Sequence, residues 1–168
     1  MNPLYTFETF IVSPANQFAY HAARSVAENP GIYYNPLVLY GATGCGKTHL
    51  MHAIGNEMIE REPAMKVWYL SARELADELV ASVREVMDRI KHLNALLIED
   101  VQFIHGKPYI QAQFFDIITY IYENNRQVVI SCNKWPGEMP DIKYLIKKFK
   151  KNLIADIQPP KIEVVVWS

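Results

Sequence analysis

Eight consecutive residues, Gly41-Ala42-Thr43-Gly44-Cys45-Gly46-Lys47-Thr48, follow the order Gly, four residues, Gly, Lys, Thr. That order is the signature of a loop that cradles phosphates. Glycines let the backbone close on an anion, so that successive N–H groups point inward, and the positive end of a following helix adds to the attraction. In such a loop Lys47 neutralises the β- and γ-phosphates and the Thr48 hydroxyl serves Mg²⁺. A second chemical point is Glu99-Asp100, which closes the apolar run Ala95-Leu96-Leu97-Ile98. One carboxylate there suits Mg²⁺ held through water, and the other suits orientation of an attacking water. A third is Asn133, just past VVISC. Its amide fits a γ-phosphate or the attacking water, although Asn also opens turns. The last is a basic cluster of Lys143, Lys147, Lys148, Lys150 and Lys151. Such a cluster is a solvated helix face, a contact to nucleic-acid phosphates, or the source of a cation for a neighbouring subunit's nucleotide.

These points lie at the ends of short apolar runs. Runs at 37–40, 66–70, 95–99 and 127–131, with a fifth at 153–157, show no polar alternation, and patterns of helical length at 47–61, 72–90 and 110–123 lie among them. Short strands of this kind between helices predict a parallel sheet covered on both faces, hence an α/β protein. A first helix is expected over 16–31, stopped by Asn29-Pro30-Gly31, and residues 1–15 read as a leading segment packed on the body. A chain of 168 residues suits one domain with a single core. Its net charge of -1 offers no global basic field, so any nucleic-acid contact must be a local patch. Cys45 and Cys132 read as two reduced thiols, not a disulfide framework. No charged-then-apolar leader and no run long enough to span a bilayer is present, so a cytoplasmic location is expected.

Taken together, YTFETFIV, YNPLVLYGATGCGKTHLMHAIGN, ALLIEDVQF, QAQFFDIITYIYENNRQVVIS and LIADIQPP resemble DnaA, the bacterial chromosomal replication initiators, and within them the AAA+ ATPase domain. The resemblance covers nearly the whole chain in order, and Thr-His-Leu-Met-His after the loop lysine is characteristic of that family. It implies a P-loop NTPase of AAA+ type, with a five-stranded parallel sheet flanked by helices on both faces. It also implies ATP or ADP with Mg²⁺, slow hydrolysis, and ATP-dependent assembly on origin or single-stranded DNA. Carried over by position, Gly41 to Thr48 and His49 bind the phosphates, and Thr48, Glu99 and Asp100 hold the metal. Asn133 falls at the first sensor, Lys148 at the arginine finger, and Phe10, Ile11 and Val12 beside the adenine.

Departures from the family pattern carry expectations of their own. Glu99 stands where the family usually has Asp, one methylene further out, and Mg²⁺ tolerates little change in its shell. Asn133 removes a charge that the family keeps. Lys148 keeps a charge but loses the planar fork of arginine. The helical stretch 71–93, which in the initiators helps grip single-stranded DNA, is a little shorter than usual. Residues 1–168 are expected to be one AAA+ core: leading segment 1–15, α/β core 16–158 and a short end 159–168. After IQPP the family continues into a helical lid and a helix-turn-helix domain that this sequence does not include. It is therefore expected to be either a fragment of a longer initiator or a small relative, and without the lid looser nucleotide binding is expected. Two other functions fit the same motif: a nucleotide-switched regulatory or scaffold protein of replication with negligible turnover, and a small-molecule phosphotransferase. No arginine-rich lid supports the latter.

Overall fold

The apolar runs become the strands of one sheet in a computed structural model that describes residues 1–158. They are β1 (Leu37–Tyr40), β2 (Val67–Ser71), β3 (Ala95–Glu99), β4 (Gln127–Cys132) and β5 (Leu153–Asp156). The order across the sheet is β2-β3-β4-β1-β5, and each neighbouring pair is parallel. Successive strand residues point to opposite faces, and both faces are covered. Leu37, Leu39, Leu97 and Val129 meet α1 (Gln17–Glu28) and α2 (Lys47–Arg61). Val38, Leu96, Ile98, Val128 and Ile130 meet α3 (Ala72–Ala81), α4 (Val83–Ile90), α5 (Pro108–Glu123) and α6 (Pro140–Lys147). Burial of this kind explains why the runs lack polar alternation. Each fully buried Leu or Ile stabilises the fold by about 1.5–3 kcal/mol.

Three elements differ from the sequence expectation. The single helix expected over 72–90 is two helices, broken at Ser82, whose backbone is extended and whose hydroxyl accepts the Glu85 N–H at 3.2 Å. Apolar periodicity runs through this break, so only the capping residue marks it. The first helix ends at Glu28, short of the expected 31, because a residue before proline resists helical backbone angles. Helix α5 starts two residues before the expected 110, with Pro108 in its first turn, where a missing N–H costs nothing. The expected short end, 159–168, lies outside the described residues.

The leading segment is strapped across α2. The Asn2 N–H donates to His52 Nδ1 at 2.8 Å, His49 Nε2 donates to the Thr6 carbonyl at 2.7 Å, and Asn56 donates to the carbonyls of Asn2 and Tyr5. Phe7 is buried beneath it. The strap therefore ends beside the loop that opens α2. Among the described residues, no helix is long and apolar enough to cross a membrane.

Candidate nucleotide site

Parallel strands send the loops after β1, β3 and β4 to one edge of the sheet, and the strand order makes those loops neighbours. Between them lies an open cleft of about 420 Å³, lined by Tyr5, Thr43, Gly44, Gly46, Lys47, Thr48, His49, Glu99, Asp100, Gln102, Ser131 and Asn133.

The loop after β1 is built on two glycines with different reasons. A side chain at Gly41 would fall 2.5 Å from the Ile157 carbonyl oxygen, so close backbone approach requires glycine. Gly46 caps α2 with φ +108°, which side chains rarely adopt, and sits against the Phe10 ring. Lys47 opens α2 and is only 7% exposed. Its ammonium is folded back on the loop, donating to the carbonyls of Gly41 and, at 3.1 Å, Ala42. A phosphate oxygen in the cleft is a stronger acceptor than either carbonyl, because it carries charge.

The acidic end of β3 meets this loop directly. Thr48 Oγ1 donates to Glu99 Oε1 at 2.7 Å, across 51 residues of chain. Asp100 takes a left-handed conformation, φ +59° and ψ +51°, which Asp tolerates better than most residues. Its N–H is held by Ser131 Oγ at 3.0 Å, and the Asn133 N–H by Gln102 Oε1 at 3.2 Å. These two bonds pin the ends of β3 and β4 to each other. Oxygen atoms from Thr48, Glu99 and Asp100 match Mg²⁺, which takes few protein ligands and completes its shell with phosphate and water. Among the described residues there is no cluster of three or more His, Cys, Asp and Glu that would hold a metal without such help.

Neighbouring groups are tuned by burial. The Tyr69 phenol is pushed up by burial and then by a hydrogen bond to Glu99 and its charge, so it stays protonated as a donor. Burial holds the His52 imidazole below its ordinary range, and its ring packs 4.4 Å from that of Tyr69. Burial raises the Cys132 thiol, and both cysteines are free, as expected, and buried.

The fold thus gathers Thr43, Gly44, Gly46, Lys47, Thr48, His49, Glu99, Asp100 and Asn133 into one cleft. Gly41 and Cys45 lie buried within the loop, and Ala42 faces out. Phe10 stacks on Tyr20 and meets the His49 ring edge-on, while Ile11 is 83% exposed and Val12 is exposed beside it. Lys148 does not reach the cleft of its own chain. It follows α6, with its ammonium 4.4 Å from the Phe115 ring centre and 4.3 Å from that of Tyr144. Lys143, Lys147, Lys150 and Lys151 are exposed along the same helix and the turn after it, while Ile142, Leu145, Ile146 and Phe149 are buried. Sequence reasoning missed Tyr5, Tyr69, Gln102 and Ser131. Ser131 carried a signal, a polar residue closing an apolar run; Tyr5 carried none.

The family model described as the bacterial DnaA ATPase domain matches residues 1–156. The chain is 44% identical over 169 residues to the chromosomal replication initiator protein DnaA of Thermodesulfovibrio yellowstonii, covering 97% of this chain and 39% of that protein. It is similar to the crystal structure of domain III of the Thermotoga maritima DnaA, with a TM-score of 0.88 and 39% identity over 96% of this chain and 70% of that one. It is also similar to a replication initiator DnaA bound to AMPPCP and single-stranded DNA, with a TM-score of 0.83 and 34% identity over 93% of this chain and 50% of that one. Fold and cleft together define an AAA+ P-loop NTPase domain. The chain belongs to the DnaA family and corresponds to its ATPase domain. It spans about two fifths of the length of the curated relatives it matches.

Proposed function

We propose that this chain is the nucleotide-binding module of a replication initiator, binding Mg-ATP in the cleft, hydrolysing it slowly and assembling with other copies on DNA in the cytoplasm. The observation that carries this reading is the Thr48–Glu99 hydrogen bond of 2.7 Å beside the Lys47 ammonium. It brings the hydroxyl of the residue next to a phosphate-seeking cation onto a carboxylate 51 residues away in the chain. Lys47 exchanges its loop carbonyls for the β- and γ-phosphates. Thr48, Glu99 and Asp100 would hold Mg²⁺, which when bound neutralises charge on the phosphates. The acids orient the attacking water, and Asn133 meets the γ-phosphate from β4. Phe10, Ile11 and Val12 offer apolar surface to the adenine. Lys148 does not line its own cleft, as suits a cation acting on a neighbour's nucleotide, and the exposed lysines of α6 suit DNA phosphates. A related initiator binds single-stranded DNA.

A nucleotide switch without turnover is the second reading, favoured by the two aromatic rings of its own subunit that hold Lys148. ATP binding and phosphate release, measured at rising protein concentration with and without DNA, separate the two. Turnover that climbs with concentration supports the initiator module, and tight binding with no turnover supports the switch. Phosphate delivered to a metabolite instead would overturn both.

A further inference from the structure

The carboxylate of Asp141, the second residue of α6, accepts four hydrogen bonds. His105 Nδ1 donates to Oδ1 at 2.7 Å and the Gly106 N–H to Oδ2 at 2.8 Å. Gln111 Nε2, on α5, donates to Oδ2 at 2.6 Å, and the Ile142 N–H closes on Oδ1 at 2.9 Å. His105 and Gly106 come directly after the short 3₁₀ turn Val101–Ile104, which follows Glu99-Asp100. That turn also carries Gln102, whose side chain holds the Asn133 N–H. One carboxylate therefore ties the loop leaving the acidic strand to the start of α6, and Lys148 sits at the other end of that helix.

We propose that Asp141 is a positioning residue that sets α6, and with it Lys148, relative to the acidic end of β3. This rests on the reading of Lys148 as a cation delivered to a neighbour's nucleotide. An eight-residue helix is stiff on this scale, so tilting its first turn moves Lys148, the residue that caps its last. A displacement of about an ångström at a charge meant for a transferring phosphate costs from several-fold to a hundredfold in rate. Each oxygen accepts two of the four bonds, which makes the claim specific. In either orientation Asp141→Asn sets its NH2 against a group that itself donates: Gly106 and Gln111 in place of Oδ2, or the Ile142 N–H in place of Oδ1, where the His105 ring can change tautomer to accept. The hydrogen bonds outweigh partial burial and hold the Asp141 carboxyl at about 2, so the clasp is fully formed at neutral pH.

The test measures phosphate release against protein concentration for the whole chain and for Asp141→Ala, Asp141→Asn, His105→Ala and Lys148→Ala. Expected for both Asp141 variants is a maximal turnover lowered about tenfold. The ATP dissociation constant and the half-saturating protein concentration should stay within about twofold. His105→Ala, which removes one bond of the four, should fall by less. A lowered melting temperature with turnover per folded molecule unchanged would mean that Asp141 only supports the fold, and would overturn the proposal. If Asp141→Ala fails to fold, Asp141→Asn and His105→Ala decide. Lys148→Ala with full turnover overturns the reading of Lys148 and this proposal with it. Lys148→Ala impaired while the Asp141 variants are unimpaired overturns this proposal alone.

Discussion

Removing the Lys47 ammonium tests the centre of the nucleotide site and can be worked through in numbers. With ATP at one hundred times its dissociation constant, binding adds about 2.7 kcal/mol to the folded state. For a domain of this size a kilocalorie is about 2–4 °C, so Mg-ATP should raise the melting temperature by about 5–11 °C. A charge-assisted hydrogen bond of the kind Lys47 would make to phosphate contributes about 1.5–3 kcal/mol. Lys47→Ala therefore weakens binding by about 10- to 150-fold, at roughly 1.4 kcal/mol per decade. With a hundredfold loss, the same ATP concentration equals the new dissociation constant and adds only about 0.4 kcal/mol. The shift then shrinks to about 1–2 °C. Without nucleotide two effects oppose each other: the Gly41 and Ala42 carbonyls lose a donor, and a nearly buried charge disappears. The ligand-free melting temperature should accordingly move less than the ligand shift does. Thermal melts of both proteins with and without Mg-ATP decide the matter. A full ATP shift in Lys47→Ala refutes the assignment of this ammonium to phosphate.

Three further outcomes are expected. Glu99→Asp shortens the side chain that now reaches Thr48 at 2.7 Å. It should hydrolyse ATP faster at an affinity within about threefold, because the Mg²⁺ shell is strict about ligand placement; equal phosphate release by the two proteins would count against this. Lys148→Arg restores a planar fork able to grip two phosphate oxygens and should raise concentration-dependent turnover several-fold. No change where sedimentation shows association would rule that role out. The third concerns pH. Burial lowers the His52 imidazole below its ordinary 6.5, against the charge of Glu99 and with that of the N-terminus and His49. The unfolded chain therefore takes its proton first, so stability present above 6.5 declines as pH falls from there toward the folded-state value. Protonation also ends acceptance of the Asn2 N–H at Nδ1. Protection of the backbone amides of residues 1–12 against hydrogen exchange, taken relative to the intrinsic exchange rate at each pH, should fall between pH 7.5 and 5.5, and His52→Gln should abolish that loss.

Much of the site was legible because it is locally encoded. The loop Gly41 to Thr48 requires particular backbone angles at Gly46 and a close approach at Gly41, and only glycine supplies them, so the requirement is written in residue type. Strands buried on both faces must be apolar throughout, which made β1, β3 and β4 readable from short runs. The break at Ser82 was not legible from periodicity, since a cap interrupts the backbone without interrupting the apolar pattern.

Sequence alone determined that a phosphate loop, an acidic strand end and a polar strand end exist, each at the close of an apolar run. Tertiary structure alone decided that they meet. Strand order sets β1 beside β4 and β4 beside β3, which brings Thr48 to Glu99 and Ser131 to Asp100. It also keeps Lys148 from its own cleft, resting on Phe115 and Tyr144. Those pairings depend on which strands pack side by side, a matter of total burial over the whole chain, and no local spacing carries that information.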